Sequence, residues 1–90
     1  MTTVKVNGAV VNMKWAYGRF GYPGLQPNET LCDVTLEVNG EVKKGSGLAF
    51  KTENDHFCKE EGRKYSLRRA IADFTRPERT LVYQAYRGRK

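Results

Sequence analysis

Apolar and polar residues alternate over Val4-Lys5-Val6 and again over Val11-Asn12-Met13-Lys14-Trp15-Ala16-Tyr17. Period-two alternation puts one set of side chains on a buried face, so both runs are predicted strands. Asn7-Gly8 lies between them, and Asn-Gly is the preferred pair for a two-residue type I′ hairpin turn. Such a loop sets Val6 opposite Ala9, Val4 opposite Val11 and Thr2 opposite Met13. Apolar residues then meet apolar residues, so the hairpin is self-consistent.

A second Asn-Gly, Asn39-Gly40, follows Cys32-Asp33-Val34-Thr35-Leu36-Glu37-Val38 and precedes Val42 to Phe50. Here the same turn sets Val38 against Glu41 and Leu36 against Lys43. Shifting by one residue pairs Leu36 with Val42 or Lys44, and Cys32 with Ser46 or Leu48. The parity predicts a three-residue bulged loop or a five-residue loop instead. Gly45 and Gly47 mark either a second bulge or a close backbone contact. Between the hairpins, Gly18 to Thr30 holds three glycines and two prolines, and is predicted irregular. Thirteen such residues are long for a compact domain, and loops of that length are often functional or mobile.

From Asp55 the period changes. Thr52-Glu53-Asn54-Asp55 fits a capping box, with Asp55 itself a second choice of N-cap. Phe57, Leu67, Ala70, Ile71 and Phe74 fall on one helical stripe, the last four at i, i+3, i+4 and i+7. Gly62 interrupts this helix at a cost of ~1 kcal/mol relative to Ala, and marks a kink or a close helix–sheet contact. Thr75-Arg76-Pro77-Glu78 ends one helix and starts another, with Pro suited to the first helical position. Leu81, Val82, Ala85 and Tyr86 form the second helix's apolar side, and Gly88-Arg89-Lys90 a frayed tail. The order ββββαα predicts an α+β domain. Its antiparallel sheet of about four strands, made of two hairpins, is packed by two C-terminal helices.

Ninety residues make one domain with one modest core. The aromatics (one Trp, five Tyr, four Phe) argue for folding without a partner. The net charge is +6, and it is one-sided. Residues 1–50 carry five Lys/Arg against four Asp/Glu, whereas residues 51–90 carry eleven against six, so the second part holds +5 of the excess. Such a field favours phosphate backbones, anionic membranes or acidic proteins. No apolar run approaches the ~20 residues of a bilayer span, which makes membrane the weakest of these. The N-terminus lacks a signal-peptide core, and the expectation is a cytoplasmic protein. Cys32 and Cys58 form no C-x-x-C pair and are expected as buried thiols.

Catalysis is not expected. The only histidine, His56, and Cys58 are two positions apart, about 200° around a helix, whereas a Cys–His pair needs contact. Cys32, His56, Cys58 and Asp55 lack the paired spacings of a metal site, so neither metal nor cofactor is expected. Gly18-Arg19-Phe20-Gly21-Tyr22 is similar in composition to the aromatic motif of RNA-recognition domains, but its basic residue follows the first glycine instead of preceding it. Aromatics folded onto the sheet are the simpler expectation. A binding role for Arg19, Phe20 and Tyr22 is the sharper one.

The helix Gly62-Arg63-Lys64-Tyr65-Ser66-Leu67-Arg68-Arg69 is the most informative segment. The apolar stripe leaves Lys59, Arg63, Arg69 and Arg76 towards solvent, with Lys64 and Arg68 near its edge. Arginine forks match phosphates and carboxylates bidentately. The bland alternative is a solvated face paired locally with Glu60, Glu61 and Asp73. The segment from Asp55 to Ile71, with Arg79 to Arg87, resembles small bacteriophage-encoded proteins that share a strand pair, a D-x-F-x4-G-R-x3-L-x-R-A helix, and a short helix ending near A-Y-R. The likeness covers roughly the last sixty residues. It implies an accessory protein acting on host machinery, a defence complex or nucleic acid, and brings no enzymatic activity with it. The expected function is therefore non-enzymatic. Arg63, Lys64, Arg68 and Arg69, with Arg19 and Tyr22, would bind nucleic acid or a nucleoprotein complex of the host, as an anti-CRISPR or other anti-defence inhibitor would. One alternative is a protein–protein inhibitor of a host enzyme acting through the Gly18–Tyr22 loop. Another is an assembly protein that oligomerises through a sheet edge.

Overall fold

Both Asn-Gly pairs close two-residue turns. Asn7, Gly8, Asn39 and Gly40 have φ of 47°, 82°, 53° and 83°, the left-handed conformation that a type I′ turn demands at both central positions. The computed structural model describes residues 2–18, 21–50 and 59–88. These form β1 (Thr2–Val6), β2 (Ala9–Tyr17), β3 (Glu29–Val38), β4 (Glu41–Phe50), α1 (Lys59–Ala70) and α2 (Arg76–Gly88). The strands make one antiparallel sheet in the order β1-β2-β3-β4. The helices cover one face, α1 over β3 and β4, α2 over β1 and β2. This is the two-layer α+β fold that the periodicity predicts.

The first hairpin has the predicted register, with Val6 opposite Ala9, Val4 opposite Val11 and Thr2 opposite Met13. The second does not. Val38 pairs with Glu41 and Leu36 with Lys43 across a two-residue loop, so the longer or bulged loop is corrected. The longer loop would be needed only if the apolar residues of β4 faced the core. Its inward positions are instead Lys43, Gly45, Gly47 and Ala49. Val42, Leu48 and Phe50 lie on the face away from the helices, Val42 54% and Phe50 64% exposed. Lys43 is tolerated opposite Leu36 because its ammonium reaches past the core. Nζ donates to Glu78 Oε1 at 2.9 Å and to the Asp73 carbonyl at 3.3 Å, and lies 5.1 Å over the Phe74 ring. Gly45 and Gly47 mark the close backbone contact, not a bulge. A Cβ on Gly47 would stand 2.2 Å from both Ala70 N and Ser66 O of α1.

Met13, Leu36, Leu67, Ile71, Val11, Val34, Val82 and Cys32 are fully buried between sheet and helices. The connection after β2 is shorter than predicted, because β3 starts at Glu29 and buries Thr30. There Thr30 meets Gly62. A Cβ on Gly62 would lie 2.7 Å from Thr30 Oγ1, so this glycine serves a close helix–sheet contact and α1 runs through it. The capping residues expected at 52–55 lie outside the described residues, as does Phe57. The stripe predicts helix to Phe74, but α1 ends at Ala70. Ile71 to Phe74 form turns, with Ala72 N bonded to Arg69 O and Phe74 N to Ile71 O. Ile71 and Phe74 are buried all the same.

A capping box starts α2. Thr75 N donates to Glu78 Oε1 at 2.7 Å, and Glu78 N to Thr75 Oγ1 at 3.4 Å. Arg76, not Pro77, is the first helical residue, and Gly88 still belongs to α2. Hydrogen bonds from Lys43 and then from the Thr75 backbone hold the Glu78 carboxyl below the ordinary carboxylate range. A carboxylate whose pKa falls on folding stabilises the fold above its unfolded pKa of roughly 4.3, and that contribution is lost as pH drops through the folded value. Glu78→Gln keeps an acceptor for the cap and removes the charge. It should reduce the loss of urea resistance between about pH 7 and pH 3 relative to the unaltered protein. Identical pH dependence of the two proteins would contradict this.

Candidate functional site

Each helix rests on its own strand pair, so a cleft opens between them. Helices that pack on one another usually run 8–10 Å apart with side chains interdigitated. Here the apolar sides turn down to the sheet, and polar and aromatic residues line the gap. Glu61, Lys64, Tyr65 and Arg68 of α1 lie at i, i+3, i+4 and i+7, one ridge of the helix. Tyr83, Tyr86 and Arg87 of α2 face them at i, i+3 and i+4. With Leu67 these residues enclose a groove of about 600 Å³.

Its floor is fixed. Tyr86 is buried, donates its hydroxyl to Glu60 Oε1 at 2.7 Å, and meets Trp15 edge-on at 5.9 Å between ring centroids. Its walls are open. Tyr65 is 55% exposed, and Lys64, Arg68 and Arg87 are exposed. Among the described residues none of these three cations forms an ion pair. Among the described residues Glu61 is the only acid on the lining. Lys64 and Arg68 are like charges at i, i+4, an arrangement that costs a helix a few tenths of a kcal/mol. The helix C-termini compensate in part, since Arg68 and Arg87 lie in the last turns of α1 and α2.

The other sequence-predicted residues are placed elsewhere. Arg63, expected towards solvent, is part-buried. Its guanidinium donates to Glu60 Oε2 at 2.5 Å and to the Tyr17 hydroxyl at 3.4 Å, and its carbonyl accepts from Trp15 Nε1 at 3.4 Å. Among the described residues Arg63 Nε, which is buried, has no hydrogen-bond partner. The Glu60 hydrogen bond, against desolvation, raises the Arg63 pKa above its usual value. This arginine ties α1 to β2.

Arg69 is exposed but reaches the sheet. Nη1 donates to the Leu48 carbonyl at 2.6 Å, and the guanidinium sits 5.9 Å over the Phe50 ring. Val38 and Glu41 are the hydrogen-bonded pair next to the turn, and such pairs alternate along the ladder. Leu31–Leu48 is then a non-bonded pair, so the Leu48 carbonyl points outwards from the edge strand β4. Arg69 thus covers one acceptor of that edge, a means of blunting strand addition. Tyr22 is exposed on the connection after β2, outside the groove lining. Arg19 and Phe20 lie outside the described residues. The structure therefore brings together Lys64 and Arg68, and adds Tyr65, Tyr83 and Arg87. The last two left a trace in the sequence as an i, i+4 pair beside the apolar stripe of the final helix.

Among the described residues no three His, Cys, Asp or Glu side chains gather as a metal site, and Asp55, His56 and Cys58 lie outside those residues. No helix is long and apolar enough to cross a membrane. Cys32 is fully buried in β3, and burial, followed by the Asp33 charge, pushes its thiol up to about 12. Thiolate is the reactive form, so iodoacetamide at about pH 8 should leave Cys32 unmodified in the folded protein and label it in denaturant. Peptide mass mapping reads this directly, and rapid native labelling of Cys32 would contradict the placement. Comparison of the chain with protein-family models, with curated proteins and with solved structures gives no match.

Proposed function

We propose that this is a non-enzymatic accessory protein that binds nucleic acid, alone or within a nucleoprotein complex, through the groove between α1 and α2. One observation carries the reading: Lys64, Arg68 and Arg87 face a single cleft without ion-pair partners among the described residues. Gathered like charges cost stability unless an anion neutralises them, and a polyanion does so at several points together. The interleaved tyrosines suit bases as the cations suit phosphates. The likeness of the helical segments to phage-encoded proteins supports a role against host nucleoprotein machinery, an anti-defence inhibitor included.

Salt titration tests the reading. Three phosphate contacts give a slope of log K against log salt near −2 on a single strand and nearer −3 on B-form DNA. Binding insensitive to salt would refute phosphate recognition. A protein–protein inhibitor acting through the loop after β2 is the second reading, supported by the exposed Tyr22. It requires the opposite result, a shallow salt dependence and loss of binding on Tyr22→Ala.

A further inference from the structure

We infer that the groove takes a single-stranded polynucleotide, one base stacking on Tyr65 while Lys64 and Arg68 hold the phosphates beside it. The inference rests on the nucleic-acid reading and adds the form of the nucleic acid.

Three features select a single strand. The first is shape. The lining is concave and drawn from both helices, with Leu67 and Tyr86 as an apolar floor. A duplex presents a convex, wide backbone and would ride on the two helix ridges, leaving that floor and the tyrosines without contacts. A single strand can enter and offer its base faces.

The second feature is the ring. Tyr65 is more than half exposed on α1, and no hydrogen bond or ring contact holds it among the described residues. An aromatic left in water beside two cations forgoes the burial that favours most tyrosines. Base stacking recovers it, and stacked aromatics contribute about five- to hundredfold in affinity per base. In a duplex the base faces are already stacked on one another.

The third feature is spacing. Lys64 and Arg68 stand one turn apart, about 6 Å along the helix, and Tyr65, which is i, i+3 to Arg68, lines the same groove beside them. Two cations at that spacing suit successive phosphates of an extended strand, and the adjacent ring can take a base that turns away from them. Glu61 ends the ridge one turn before Lys64 and repels phosphate there. The cationic part of α1 is thereby limited to the stretch beside Tyr65, and Arg87 meets the strand from α2.

The test is fluorescence anisotropy with labelled oligothymidylate and oligouridylate of about twelve nucleotides, within usual site sizes, and a duplex of the same length. Either single strand should bind at least about tenfold more tightly than the duplex. Tyr65→Ala should weaken single-strand binding by about tenfold, leave duplex binding unchanged and melt with the unaltered protein; Tyr65→Phe should bind normally. Equal binding of strand and duplex, or a Tyr65→Ala variant that binds single strands normally, overturns the single-strand inference and leaves the nucleic-acid reading standing. If the unaltered protein binds neither form, both fall.

Discussion

Gly47→Ala should lower the melting temperature by 10 °C or more, although it adds one methyl group to a strand where alanine is ordinarily preferred. The added Cβ would sit 2.2 Å from Ala70 N and from Ser66 O. Both are backbone atoms in the second half of α1, so no side-chain rotation relieves the clash. The helix must lift, and with it Leu67 and Ala70, which are buried against the sheet. Overpacking costs about 1–3 kcal/mol and occasionally more, and immovable backbone places this site at the upper end. In a domain of this size each kcal/mol moves the melting temperature by roughly 4–8 °C. Ser46→Ala, on the opposite face of the same strand, should shift it by only a few degrees. Thermal unfolding followed by circular dichroism compares the two. A Gly47→Ala protein that melts with the unaltered one would show that α1 does not rest on β4 at this point.

The same glycine explains what the sequence could not reveal. The first hairpin was legible because Val4, Val6, Ala9, Val11 and Met13 all point one way, so only one register buries them together. In β4 the pattern misleads. Val42, Leu48 and Phe50 look like the inward set, and the true inward set contains two glycines and a lysine. Glycine is silent in an apolar–polar pattern, and its value here depends on a helix backbone that arrives from elsewhere in the chain. The turn after α1 was hidden for another reason. Ile71 and Phe74 reach the core through turns as well as they would through a helix, so the stripe does not distinguish the two.

The candidate site divides along similar lines. Lys64 and Arg68 were legible because they flank the apolar stripe of their own helix. Arg63 looked equivalent until β2 supplied Tyr17 as a partner beside the local Glu60. Tyr83 and Arg87 gained meaning only from the separate seating of the two helices, a tertiary fact with no local signature.

Lys64→Glu with Arg68→Glu should weaken nucleic-acid binding by well over tenfold at about 50 mM salt. The pair is chosen over Arg63 and Arg69 because those two have structural partners. A carboxylate at position 63 would face Glu60 and lose Tyr17, so lost binding there would be confounded by lost stability. Lys64 and Arg68 are exposed and have no partner to lose among the described residues. Reversing them should cost little, apart from some ~0.3–1 kcal/mol for an acid near the end of α1. Each reversal changes the charge by two, so the net charge falls from +6 to +2. Arg76→Glu with Arg79→Glu, exposed on α2 and outside the groove lining, makes the same change and separates site from overall field. With Arg87 as the remaining contact, the single-strand salt slope of the groove variant should fall from near −2 to near −0.7. The control should keep the steep slope and lose only the modest affinity that a weaker long-range field removes. Equal losses in the two variants would mean that diffuse charge binds the ligand. Full binding by the Lys64→Glu, Arg68→Glu protein would remove the groove as the site.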